Sequence, residues 1–334
     1  MIAGAELAAW LASHAAQDRS LDGLESFARR WGASPLMSDL ERELSENRMP
    51  TPGAVLAAAT RFLDRRAEIE ALVADLIASA RADRFFRPPF LPVLTDIYKG
   101  LLLFTHPDLT VALGVTGVDM LAAKKNVKGH AGSIGFTGFT TLFRFLKAGN
   151  ATLSFWEASP AGDAFSGARA GACRLVERRR IRDGETIILD GSRQTYVIEH
   201  AEGDMLYLQA MVRAEGAPLV VEYDSDTLGF VAASSTDEAS SRIQMMATLL
   251  RAMGRDDALP VLEELLASPH FFTRWHIMRE MLAMDAEAAL PALRRMAAGD
   301  PHPEVRDAAG QTLGYFFDEE DEEAPGQGET RCRA

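Results

Sequence analysis

The pentapeptide Ala258-Leu259-Pro260-Val261-Leu262 recurs 31 residues later as Ala289-Leu290-Pro291-Ala292-Leu293. Each copy leads into a turn, Ser268-Pro269-His270 or Asp300-Pro301-His302, and then into a second stretch with helical spacing. Such a recurrence defines a two-helix unit whose apolar face is buried only on a neighbouring unit. Two copies are fewer than a free-standing solenoid needs. The helical stretch 242–253 and the preceding domain are therefore expected to supply the missing faces.

The second copy runs Asp300-Pro301-His302-Pro303-Glu304-Val305-Arg306-Asp307-Ala308-Ala309 and continues to Leu313. It resembles the HEAT and PBS-lyase-HEAT repeats over residues 241–317. The resemblance implies that Asp300 caps the second helix, that Val305 and Ala309 pack inward, and that the repeats contact a protein partner. The first copy carries Phe272, Arg274 and Trp275 in that helix, bulk that points to packing against another domain.

Upstream the period of the sequence changes twice. Residues 1–86 are rich in Ala, Leu, Glu and Arg, with Leu56, Phe62, Leu63, Ile69, Leu72, Val73 and Leu76 at helical spacing. Thr51 and Pro52 suit an N-cap and a first helical turn after the break at 47–53. The prolines at 88, 89 and 92 end this helical N-terminal segment. The apolar run Val93–Phe104, which contains Asp96 and Lys99, reads as a core helix too short and too charged to span a bilayer.

From about 134 to 233, short runs rich in β-branched and aromatic residues follow: 142–146, 151–156, 186–189, 195–199, 205–211, 219–223 and 229–233. Lys147-Ala148-Gly149-Asn150, Arg182-Asp183-Gly184-Glu185, Asp190-Gly191-Ser192 and Glu202-Gly203-Asp204 place turn-forming residues between them. The expected architecture is α+β and multidomain: a helical N-terminal segment (1–86), an antiparallel jelly-roll β-barrel (87–240), α-helical repeats (241–317) and a disordered acidic tail (318–334).

The formal net charge of −13 owes six charges to the run 318–323, so the folded part is only mildly acidic. That balance argues against nucleic acid, whose binding rests on Lys and Arg displacing counterions. Two cysteines, Cys173 and Cys332, form neither a disulfide framework nor a metal-ligand spacing. Glu6 lies within the first apolar residues, as in an amphipathic helix rather than a signal peptide. A cytoplasmic protein without a membrane partner is expected.

Two segments, Gly184-Glu185-Thr186-Ile187-Ile188-Leu189-Asp190 and Glu202-Gly203-Asp204-Met205-Leu206-Tyr207-Leu208, resemble the cupin superfamily. That resemblance implies a barrel with a His-x-His, a following Glu and a second-motif His as metal ligands. This chain has Phe143-Arg144-Phe145 and Phe155-Trp156-Glu157 instead, and no histidine among Gln209, Ala210, Met211, Val212 and Arg213. A barrel without a metal cofactor follows. Its ligand-binding set would be Arg144, Trp156, Tyr196, Tyr207, Gln209 and Arg213. If Tyr207 faces inward, strand alternation sends Gln209, Met211 and Arg213 with it and gives a carboxylate an arginine partner.

A rival reading uses His106-Pro107-Asp108, which has the His-x-Asp form of an Fe(II) and 2-oxoglutarate oxygenase triad, with His200 as the distal ligand. Thr105–Asp108 reads equally well as a helix-ending turn. Lys124, Lys125, Lys128 and His130 form a basic cluster that reads as a solvated loop, and Arg178-Arg179-Arg180 reads as a charged sheet edge. No nucleophile elbow, Cys–His pairing or His-Glu-x-x-His is present. The function expected is thus non-catalytic binding or regulation, with a small anionic or aromatic ligand in the barrel and a protein on the repeats; the alternative is the iron oxygenase. Because a run of acids buries no apolar surface, removing residues 318–334 is expected to leave the melting temperature unchanged, as differential scanning calorimetry would show.

Overall fold

A computed structural model describes residues 4–46, 51–95, 97–125, 132–162 and 165–322. The chain divides into two compact units. The first comprises Met1–Pro160, Gly171–Ala217 and Val221–Ala232, and the second Ala161–Ala170, Pro218–Val220 and Ala233–Ala334.

The first unit opens with α1 (Gly4–Leu11), α2 (His14–Gly32), α3 (Pro35–Ser45), α4 (Pro52–Asp64) and α5 (Arg66–Ala82). Ser13, Ser34 and Thr51 cap α2, α3 and α4 by accepting the backbone N–H three residues on, and Pro35 and Pro52 start their helices. The strands are β1 (Leu91–Leu94), β2 (Tyr98–His106), β3 (Leu109–Thr116), β4 (Ser133–Phe136), β5 (Thr140–Lys147), β6 (Thr152–Glu157), β7 (Arg174–Arg180), β8 (Thr186–Asp190), β9 (Gln194–His200), β10 (Met205–Val212), β11 (Leu219–Asp224) and β12 (Phe230–Ser235), with α6 (Val118–Lys125) after β3.

The middle of the chain is antiparallel and sheet-rich, as expected, but its sheets do not close into a barrel. One has six strands in the order β1-β2-β3-β10-β5-β8, and two have three strands, β7-β6-β9 and β12-β11-β4. Val93–Phe104 is not a helix. It runs through β1 into β2, and Pro107-Asp108 is the two-residue turn of the β2–β3 hairpin, with His106 opposite Leu109. Gly100 disfavours a helix there, and alternate residues of β2 pack on opposite faces.

The central strands β3, β10 and β5 of the six-stranded sheet are covered on both faces. Leu103, Leu109, Val111, Leu113, Leu142, Leu208, Ala210 and Val212 join Phe27, Leu40, Val55, Phe62 and Leu72 of the helices in one core. Phe143, Phe145, Met205 and Tyr207 join Leu153, Ile181 and Ile187 in another. The β5–β6 turn holds Gly149 and Asn150 at φ 59° and 51°, and a Cβ at Gly149 would lie 2.2 Å from the Gly203 carbonyl oxygen. Only glycine fits there.

The second unit contains α7 (Glu238–Ala252), α8 (Leu259–Leu265), α9 (Phe271–Met284), α10 (Ala286–Gly299) and α11 (Pro303–Glu322). Val305 and Ala309 are buried, as the repeat resemblance implied, together with Met278, Leu293 and Met296. Trp275 packs against the same cluster and Arg274 turns inward, while Phe272 stacks on His270 and meets Phe271 edge to face. Asp300 does not reach the amides of α11. It accepts the His302 N–H at 2.8 Å and pairs with the Arg274 Nε and Nη2 at 2.8 and 2.6 Å. Arg274 Nη1 donates to the Ser268 and Pro269 carbonyls at 3.0 and 2.9 Å. One ion pair therefore ties the two inter-helix turns together.

The backbone of α11 continues through Glu322, so the first acids of the tail prolong a helix, as glutamate's helix propensity allows. Residues 323–334 lie outside the described residues, as do 126–131 of the basic cluster. No helix among the described residues is long and apolar enough to cross a membrane.

The Arg274 and Asp300 side chains are only 8% and 4% exposed. Asp300→Ala, which strands the buried guanidinium, is expected to destabilise the second unit by about 3–5 kcal/mol in chemical denaturation, whereas Arg274→Met with Asp300→Leu recovers most of that loss. Burial raises the Asp300 carboxyl, but Arg274 and the His302 N–H outweigh it and hold the group below its ordinary range. Its contribution is thus full above the unfolded pKa of about 3.9 and fades as pH falls through the lower folded value.

Candidate ligand site between two sheets

Tyr207 lies at the centre of the six-stranded sheet, opposite Gly114 of β3 and Phe145 of β5. Its hydroxyl and Thr116 Oγ1 are 3.0 Å apart. Tyr98 and Phe143 approach its ring at 6.1 and 5.9 Å, and Tyr196 of β9 meets Phe143 edge to face at 5.1 Å. Aromatic residues of the six-stranded sheet and of β7-β6-β9 thus meet in one cluster.

Tyr98 owes its position to two glycines. Gly100 and Gly114 face each other across β2 and β3, and a Cβ would lie 2.4 Å from the Tyr98 hydroxyl at Gly100 and 2.3 Å from the Tyr98 ring at Gly114. The ring lies flat over the bare backbone they leave.

Desolvation pushes the Tyr98 phenol up to about 12. Burial, with Tyr207 and Tyr98 nearby, holds Tyr196 well above 10, and burial also raises Tyr207 against the lowering effect of Thr116. At neutral pH the cluster presents neutral O–H groups. Gln209, opposite Ala112 and Phe143, and Met211, opposite Thr110 and Thr141, share the Tyr207 face and are partly exposed. This face thus sets hydroxyl and amide groups, able to donate and to accept, beside aromatic rings.

Of the six residues expected to bind ligand, Tyr196, Tyr207 and Gln209 come together. The other three do not join them. Arg144 lies opposite Leu208 on the helix-covered face and donates to Thr186 Oγ1 at 2.8 Å. Trp156 shares a face of β6 with Ser154, to which its indole N–H donates at 3.0 Å, opposite Leu153 and Phe155. Arg213 falls beyond the end of β10, so alternation no longer governs it. It is exposed, its guanidinium sits 5.6 Å from the Phe139 ring centre, and its backbone N–H donates to the Asp108 carbonyl at 2.8 Å. Sequence reasoning missed Tyr98 and Thr116, and the available signal was the pair of glycines in adjacent apolar runs.

The donor set does not fit a resident iron. His106 Nδ1 and the Asp108 carboxylate are 3.5 Å apart at the β2–β3 turn, where Nδ1 accepts the Asp108 N–H. His200 ends β9 in another sheet, and no three His, Cys, Asp or Glu side chains gather as metal ligands among the described residues. β7 is an edge strand, as the arginine run implied, with Arg178 and Arg180 paired to Glu199 and Glu202.

Residues 229–314 match the family model for HEAT repeats. No curated protein matches the chain. Solved structures similar to its sheet-rich part are cupin-type proteins. KdgF from Halomonas sp. is 12% identical with a TM-score of 0.21, over 36% of this chain and 83% of that one. EutQ from Clostridium difficile is 11% identical with a TM-score of 0.21, over 36% and 66%. Ectoine synthase from P. lautus is 13% identical with a TM-score of 0.18, over 44% and 85%.

Two outcomes test the cluster. Gly114→Ala, which displaces the Tyr98 ring, is expected to cost about 1–3 kcal/mol in urea unfolding, the scale of overpacking. Spectrophotometric titration of the native protein should show Tyr98, Tyr196, Tyr207 and Tyr223, four of the five tyrosines, ionising above the ordinary value of 10.

Proposed function

We propose that the protein is a non-catalytic binding or regulatory protein that holds a small aromatic ligand between its two facing sheets and a protein partner on its HEAT repeats. The observation that carries the first half is the gathering of the hydroxyl-bearing rings of Tyr98, Tyr196 and Tyr207 around Phe143, beside the partly exposed Gln209. Neutral donors beside aromatic walls orient a ligand and supply no general acid or base that titrates near neutrality. The second half has support from α7, which leaves Met245, Met246, Leu249 and Met253 each more than half exposed. Methionine-rich surfaces adapt to the shape of a partner.

The probe for the inner site is 1-naphthol, a neutral aromatic with one hydroxyl. Tyr196→Phe and Gln209→Leu are each expected to weaken it by about 0.5–1.5 kcal/mol in calorimetric titration, the net worth of one hydrogen bond. Wild-type affinity in both variants would remove this site. One equivalent of iron per chain, in protein purified without chelators, would overturn the non-catalytic reading.

A further inference from the structure

A cavity lies on the helix-covered face of β5. Arg66, Glu70, Val73, Ala74 and Ile77 of α5 form one wall, Arg144, Leu146, Lys147 and Leu206 of the sheet form the other, and Asp183 and Gly184 close one end. Its volume is about 360 Å³, at the lower end of the range for small-molecule sites. The walls are apolar and the cations stand at the edges.

Those cations are not equally neutralised. Arg66 holds Glu70 at 2.7 Å, and Lys147 holds Asp183 at 2.9 Å. Asp183 also accepts the Ala148 N–H, which with Lys147 keeps its carboxyl below the ordinary range. Arg144 differs: among the described residues its side chain donates one hydrogen bond, to the neutral Thr186 hydroxyl, and its ion-pair partner, Asp64, is 4.0 Å away and 61% exposed. Arg144 itself is 22% exposed, so water screens it less than its neighbours. A guanidinium has five N–H donors in a planar fork that matches a carboxylate.

We propose that this cleft binds a small apolar carboxylate, its anionic end paired with Arg144 and its apolar body laid between Val73, Ala74 and Ile77 on one side and Leu146 and Leu206 on the other. Glu70 and Asp183 set the orientation, since they repel a carboxylate at the Lys147 end. This site is separate from the one between the sheets, because Arg144 and Phe143 are neighbours on one strand and point to opposite faces.

The experiment uses the full chain with 2-naphthoate and its uncharged analogue 2-naphthamide, titrated calorimetrically. The wild type should bind the acid more tightly than the amide. Arg144→Gln should weaken the acid about tenfold or more while leaving the amide within about twofold, the scale of losing a hydrogen bond to a charged group. Ala74→Phe, which fills the cleft from α5 without altering charge, should abolish binding of both, with an unchanged far-ultraviolet circular dichroism spectrum confirming the fold. Tyr196→Phe should change neither affinity. The proposal is overturned by absence of binding to the wild type, by equal acid affinity in Arg144→Gln, or by acid binding that survives Ala74→Phe. Loss of acid binding in Tyr196→Phe overturns it too, since the ligand would then lie between the sheets.

Discussion

The centre of the six-stranded sheet, β3, β10 and β5, is covered on both faces, and the first unit is arranged around that constraint. On β10, Met205 and Tyr207 point to the aromatic side while Leu208, Ala210 and Val212 point to the helices. A strand with two apolar faces needs two covers. α2–α5 supply one, and β7-β6-β9 contributes to the other. The arrangement also fixes register, because a one-residue slip would exchange Tyr207 for Leu208 and place a phenol in the helical core.

The second unit depends on a smaller device. Burying Arg274 and Asp300 carries a desolvation cost, but four of the five guanidinium donors find oxygens and the carboxylate gains the His302 N–H as well. The pair specifies where the turns between helices lie, a problem that apolar packing alone leaves loosely determined. The ordinary aliphatic core around Leu293 and Val305 then fills the space that the turns define.

β5, β6 and β8–β12 were legible because they are short β-branched and aromatic runs bounded by turn residues whose chemistry is local, whereas the four-residue β4 and the charged β7 were not among the runs read. The repeats were legible for the same reason, since a helix pair and its turn fit within about thirty residues. Between Leu91 and Thr116 the sequence is misleading. A run apolar on both faces has no period, so β1 and β2 read as one helix. The partnership of Tyr98 with Gly100 and Gly114 was hidden because one of its glycines acts across a strand pair, and register is a property of the folded sheet. Arg213 failed for a narrower cause: alternation was carried one residue beyond the end of β10.

Strand β5 gathers these consequences. Phe143 and Phe145 join a cluster whose polar groups are phenols, neutral at physiological pH, so that side offers shape and neutral hydrogen bonds. Arg144, between them in sequence, emerges where helix and sheet leave a gap and where its closest carboxylate is 4.0 Å away. Charge selection and shape selection thus fall on opposite faces of one strand. The sheet between them, apolar on both sides and closed by backbone hydrogen bonds, offers a charged group no path from one to the other. A ligand that combined an aromatic ring with a carboxylate would have to choose a face, and a guanidinium whose ion-pair partner is distant and exposed favours the helical one.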